Sequence, residues 1–150
     1  MTSAEDPVQR RKALMQVLAR ADQAELEAAI DRFTPLPPLR EPRPAETGLV
    51  MVRGRIGGDG APFNLGEATV TRAAVQLNDV TGVSYLLGRA PERARAAAIL
   101  DALWQDPAAQ PVVEEALAPV RRRLAEAAAE AAAKVEATRV NFFTMARGED

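Results

Sequence analysis

The chain has 150 residues, a formal net charge of −2, and 47% apolar residues of which few are aromatic. That is one domain's worth of chain, with a core built from small and aliphatic side chains. It has neither the basic field of a nucleic-acid binder nor the acidity of a disordered tail. There is no Cys and no His. Disulfides, iron–sulfur ligation, thiolate nucleophiles, the usual zinc sites and a Ser–His–Asp triad are therefore excluded. Chemistry done by this chain alone must use carboxylates, arginine, lysine, Tyr85 or backbone groups. No apolar run reaches the ~20 residues of a membrane span, and the start, MTSAEDPVQRRKA, has no apolar leader core. The expected compartment is the cytoplasm, with no membrane contact.

In chain order, Asp6-Pro7 reads as a helix start, with Asp as N-cap and Pro in the first turn. Leu14, Val17, Leu18 and Ala21 follow at helical spacing. Asp22 and Glu25 suggest a capping arrangement for a second helix, whose stripe is Leu26, Ala29, Ile30 and Phe33. Residues 1–33 are thus expected to form a helical hairpin. Residues 34–47, with five of the eleven prolines, read as a stiff connector.

An antiparallel sheet of three or four strands is expected over 48–89. Val50, Val52 and Ile56 share one strand face and Arg53 and Arg55 the other, before the turn GGDG at 57–60. The next strand, GEATVTRAAVQL, runs from Gly66 to Leu77. Glu67, Thr69, Thr71, Ala73, Val75 and Leu77 fall on one face, and Ala68, Val70, Arg72, Ala74 and Gln76 on the other. The first face passes from polar to apolar, as in a strand with one end under helices and one end open. After a turn around Asn78 to Gly82, VSYLLGR at 83–89 is the last strand. The sheet arginines, Arg53, Arg55, Arg72 and Arg89, suit phosphate or carboxylate. No glycine-rich loop opens a helix here, so no phosphate-binding motif accompanies them.

From Pro91 the pattern is helical. Ile99, Leu103, Leu100 and Trp104 make a helix that is apolar on more than one side and ends at Asp106-Pro107. A last helical region covers about 112–139, broken or restarted at Pro119. Its distal seam, Leu124, Ala128, Ala131 and Val135, is thin. Arg121, Arg122 and Arg123 fan around the helix instead of forming one patch. The closing stretch holds the aromatic pair Phe142 and Phe143, suited to docking into this domain or another chain, followed by Met145. The fold class is α+β: an antiparallel meander flanked by an N-terminal helical hairpin and C-terminal helices with a docking tail, over 91–150.

Four blocks, AETGLVMVRGRIGG, FNLGEATVTRAAVQL, YLLGR and ATRVNFFTMARGE, in this order and spacing resemble the G subunit of the bacterial carbon–phosphorus lyase core complex. The resemblance implies a cytoplasmic subunit working with the I, H and J subunits, joined by nucleotide-binding-cassette proteins. The reaction implied displaces adenine from ATP with an alkylphosphonate, giving ribose 1-alkylphosphonate 5-triphosphate. ATP is then a substrate of the complex, and this chain is expected to bind no cofactor. Ala73 and Ser84 depart from the family's pattern, which often has Cys and His there. That departure fits an assembly role better than a catalytic one.

Three functions stay open on the sequence. In the first, the chain is a scaffold presenting Thr69, Thr71, Arg72, Arg139, Phe142, Phe143, Met145 and Arg147 to partners. In the second, Arg72 or Arg89 holds triphosphate or phosphonate, and Glu67 orients a ribose hydroxyl or water. In the third, the chain is a free-standing anion- or nucleotide-binding α+β module.

Overall fold

The computed structural model describes residues 6–139. Seven elements follow in order: α1 (Pro7–Leu18), α2 (Gln23–Asp31), β1 (Leu39–Arg55), β2 (Pro62–Leu77), β3 (Val80–Leu87), α3 (Pro91–Trp104) and α4 (Gln110–Ala137). The fold is α+β. Its one sheet among the described residues is antiparallel, three-stranded and ordered β1-β2-β3.

Local chemistry sets the helix starts. The Asp6 carboxylate accepts from the Val8 N–H at 3.1 Å, with Pro7 in the first turn of α1. At α2 the Glu25 carboxylate accepts from the Asp22 N–H at 2.9 Å. The alanine content of α3 lets it lie deep. It packs on β2 and β3 on one side and on α1, α2 and α4 on the other, so every residue from Ala96 to Trp104 is buried. The core is a single cluster around this helix, joined by Leu14, Leu26, Val75, Leu86 and Leu117.

Along β2, Thr71, Ala73, Val75 and Leu77 are buried, and the alternate position Arg72 is exposed. The β2–β3 turn is tighter than the sequence suggests. It uses only Asn78 and Asp79, with Asn78 at φ 51°. Gly82 is a strand residue, not part of the turn. A Cβ there would sit 2.0 Å from the Ala98 carbonyl oxygen and 2.5 Å from the Ala102 nitrogen. Only glycine lets β3 come this close to α3.

Two expectations are corrected. The segment 34–47 is not all connector, because β1 begins at Leu39 opposite Leu77. Pro42 and Pro44 are tolerated because β1 is an edge strand. The register shifts between Arg40 and Arg43 and between Arg43 and Glu46, so the missing donors interrupt no regular ladder. Nor does Pro119 break the last helix, as α4 runs through it without interruption. Pro119 is exposed, and Val113, Leu117 and Val120 anchor the helix to the core on both sides of it.

Two parts of the molecule leave this body. From Ala125 onward every described residue of α4 is exposed, a projection of roughly 20 Å at 1.5 Å per residue. The β1–β2 hairpin also outruns its neighbour. β3 stops at Leu87, opposite Val70, and β1 and β2 continue as a two-stranded ribbon to Arg55 and Pro62.

Candidate functional site

The residues singled out in the strand Gly66–Leu77 separate into different environments. Thr71 is fully buried. Its hydroxyl donates to the Gly88 carbonyl at 2.6 Å and accepts from the Ala90 N–H at 3.0 Å. It lies 3.1 Å from the Thr47 hydroxyl, and since its one proton is committed to Gly88, Thr47 is the donor of that pair. Thr71 thus ties β1, β2 and the entry to α3 together. As a surface group for a partner it is corrected: its hydroxyl is enclosed and its hydrogen bonds are spent. Thr69 is half-buried one step nearer the open end.

Arg72 stands on the opposite face, which no helix covers. Its Nε donates to Glu46 Oε1 at 2.7 Å, and the two residues face each other across β1 and β2. Arg43 approaches the same carboxylate oxygen at 3.5 Å. Glu46 and Arg72, with Tyr85, Val50 and Val70, line a shallow cavity of about 250 Å³. The arrangement is an exposed cross-strand ion pair, of the kind that contributes about 0–1 kcal/mol.

Glu67 and Arg72 do not meet. Pairing is regular from Glu46↔Arg72 to Val52↔Gly66, so no bulge rotates one toward the other. Glu67 shares its face with Leu49, Met51 and Arg53, and Arg72 shares the other with Val50 and Tyr85. Arg89 is exposed just after Gly88, at the turn into α3. The sheet arginines are therefore split between faces and do not form one cradle. Arg139 is exposed at the end of α4, 3.6 Å from Glu136. Phe142, Phe143, Met145 and Arg147 lie outside the described residues.

The strongest polar site was not singled out from the sequence. Asp101 is fully buried on α3. It accepts from Arg11 Nε at 3.0 Å, from Arg11 Nη2 at 2.7 Å and from the Val83 N–H at 2.9 Å. The hydrogen bonds to Asp101 raise the Arg11 pKa further above its ordinary value. The group clamps α1 and the free edge of β3 to the core helix. Its carboxylate is fully enclosed and its hydrogen bonds join three elements of the fold, so it reads as structural. Arg121 and Arg123 are also engaged separately, with Glu114 at 2.9 Å and Glu25 at 2.7 Å. Among the described residues no cluster of three or more His, Cys, Asp or Glu could hold a metal ion. No helix there is long and apolar enough to cross a membrane.

What stands open is apolar. On the ribbon, Leu49 is 64% and Met51 54% exposed on one face. Phe63 at 40% and Leu65 at 61% join Val52 on the other. Tyr85 and Leu87 continue this second face onto β3.

Residues 9–148 match the family model described as phosphonate metabolism protein PhnG. The chain is also 49% identical over 150 residues to the alpha-D-ribose 1-methylphosphonate 5-triphosphate synthase subunit PhnG of Rhizobium meliloti (strain 1021), covering 99% of this chain and 96% of that protein.

Proposed function

This chain belongs to the PhnG family of phosphonate metabolism proteins, and on that premise we propose that it is a subunit of a synthase making α-D-ribose 1-methylphosphonate 5-triphosphate, with a role in assembly. The reaction is nucleosidyl transfer. The bond from the ribose anomeric carbon to adenine breaks, a bond from that carbon to a phosphonate oxygen forms, and adenine leaves. The partners proposed are the I, H and J subunits with their nucleotide-binding-cassette proteins, and the compartment is the cytoplasm.

The near full-length identity to a synthase subunit carries the reading. The assembly role draws support from the chemistry: there is no His or Cys, Glu67 and Arg72 stand on opposite faces, and Arg72 is held by Glu46. Adenine release from ATP and methylphosphonate, measured on the co-expressed subunits with and without this chain, tests it. Release is expected only with the chain present, and Arg72→Ala should leave kcat within a few-fold. A loss of about a hundredfold, ~3 kcal/mol of transition-state stabilisation, with assembly intact would instead put Arg72 in the active site.

A further inference from the structure

The β1–β2 ribbon is long, apolar and uncovered. Beyond Val70 it has no third strand, and it runs for about 25 Å at 3.4 Å per residue. A two-stranded ribbon is marginal in water on its own. Exposed apolar patches of this kind mark interaction surfaces on soluble proteins. The distribution of side chains narrows the kind of surface. Leu49 and Met51 lie on one face and Val52, Phe63 and Leu65 on the other, so a flat partner would leave half of them in water.

Charge narrows it further. Arg53 and Arg55 share the face of Leu49 and Met51 near the tip, and among the described residues neither makes an ion pair. Covering that face without carboxylates would bury two unpaired guanidinium groups. A second copy of this chain fits poorly, because pairing two copies along β1 around Met51 sets Arg53 opposite Leu49 and Arg55 opposite Thr47, and no carboxylate of β1 reaches either guanidinium.

We propose that the β1–β2 ribbon, residues 48–69, is an arm clasped on both faces by a partner protein whose cleft has apolar walls and carboxylates opposite Arg53 and Arg55. This rests on the chain being a subunit of the synthase. β1 carries no proline from Gly48 to Arg55, so its outer edge keeps its backbone donors and can add strand pairing to the side-chain contacts. Leu65 lies over Gly54, where a Cβ would meet its side chain at 2.6 Å. The bulge between Val52 and Arg53 holds Leu65 in that position.

The test uses the full chain co-expressed with the I, H and J subunits. Amide hydrogen exchange of the free and assembled chain is expected to show slowed exchange through residues 48–69 on assembly. Leu49→Asp and Leu65→Asp, one on each face, and the pair Arg53→Glu with Arg55→Glu should each weaken capture by about thirtyfold or more. The urea midpoint of each free variant should stay at the wild-type value. If the wild-type chain assembles while residues 48–69 exchange as in the free chain, the arm is overturned and the proposed function stands. A free chain that dimerises with concentration, and no longer does so as Leu49→Asp, also overturns it, because the occupant is then a second copy. If the wild-type chain does not enter the assembly at all, the proposed function falls and the arm falls with it.

Discussion

Asp101 carries more of the structure than its place in an alanine-rich helix suggests. Asp101 is fully enclosed while the Arg11 side chain is 35% exposed, so removing the carboxylate leaves a guanidinium that water reaches only in part and a backbone donor that has lost its acceptor. Asp101→Ala would strand the Arg11 guanidinium and the Val83 N–H at once. A loss of about 3 kcal/mol is expected in urea unfolding at neutral pH. A second ion pair makes a pH-dependent contribution. The Arg123 guanidinium grips Glu25 through Nε at 2.8 Å and Nη2 at 2.7 Å. That hydrogen bonding, with help from the Asp22 N–H, lowers the Glu25 pKa below its ordinary value. A carboxylate whose folded pKa is lowered contributes stability that is fully present above its unfolded value, roughly 4.3. The contribution is lost as pH falls through the lowered folded value. Wild type should therefore lose more stability than Glu25→Gln between pH 5 and the acid side of that range, and the two urea midpoints measured across it give the comparison. The Glu25–Arg123 contact is solvent-facing, so the difference is expected to be small.

Among the elements, α3 is the axis on which the sheet and the other helices meet, and at Gly82 the β3 backbone lies directly against it. Gly82→Ala forces a Cβ onto the Ala98 carbonyl and the Ala102 nitrogen, both backbone atoms that move only if the helix moves. Overpacking of this kind costs about 1–3 kcal/mol, and a lower urea midpoint with retained helical circular dichroism is the expected outcome. The strands were legible in the sequence because Val, Thr and Ala alternate in period two through Gly66–Leu77, and the buried face was assigned from that alternation. The start of β1 was not legible. Pro42 and Pro44 read as connector, and only pairing with residues 74–77 shows that they sit on an edge where their missing donors do no harm. Pro119 misled for a related reason. Local chemistry opposes a proline inside a helix, but packing on either side of it decides.

For the molecule as a whole, the separation between body and projections is the main feature. The body closes on itself: its core is continuous and the fully enclosed polar side chains of Thr71, Ser84 and Asp101 have partners, although the buried Nε atoms of Arg93 and Arg121 have none among the described residues. The β1–β2 arm and the outer half of α4 leave apolar groups such as Leu49, Leu65 and Val135 in solvent. The family was readable from four sequence blocks, and the match over residues 9–148 agrees with it. The placement of the candidate site was readable only in part. Alternation put Glu67 and Arg72 on opposite faces, as found. The enclosure of Thr71 was hidden, because it depends on Thr47, Gly88 and Ala90, which are remote in sequence. The clamp at Asp101 was hidden in the same way, since Arg11 lies 90 residues away. The most direct test of the subunit reading is co-expression of the tagged chain with the I subunit, followed by affinity purification and size-exclusion chromatography with light scattering. A stable heteromeric complex is expected, in which the chain is captured in fixed ratio to its partner. A soluble, folded monomer that elutes alone and captures nothing would mean that the chain does not act by assembly.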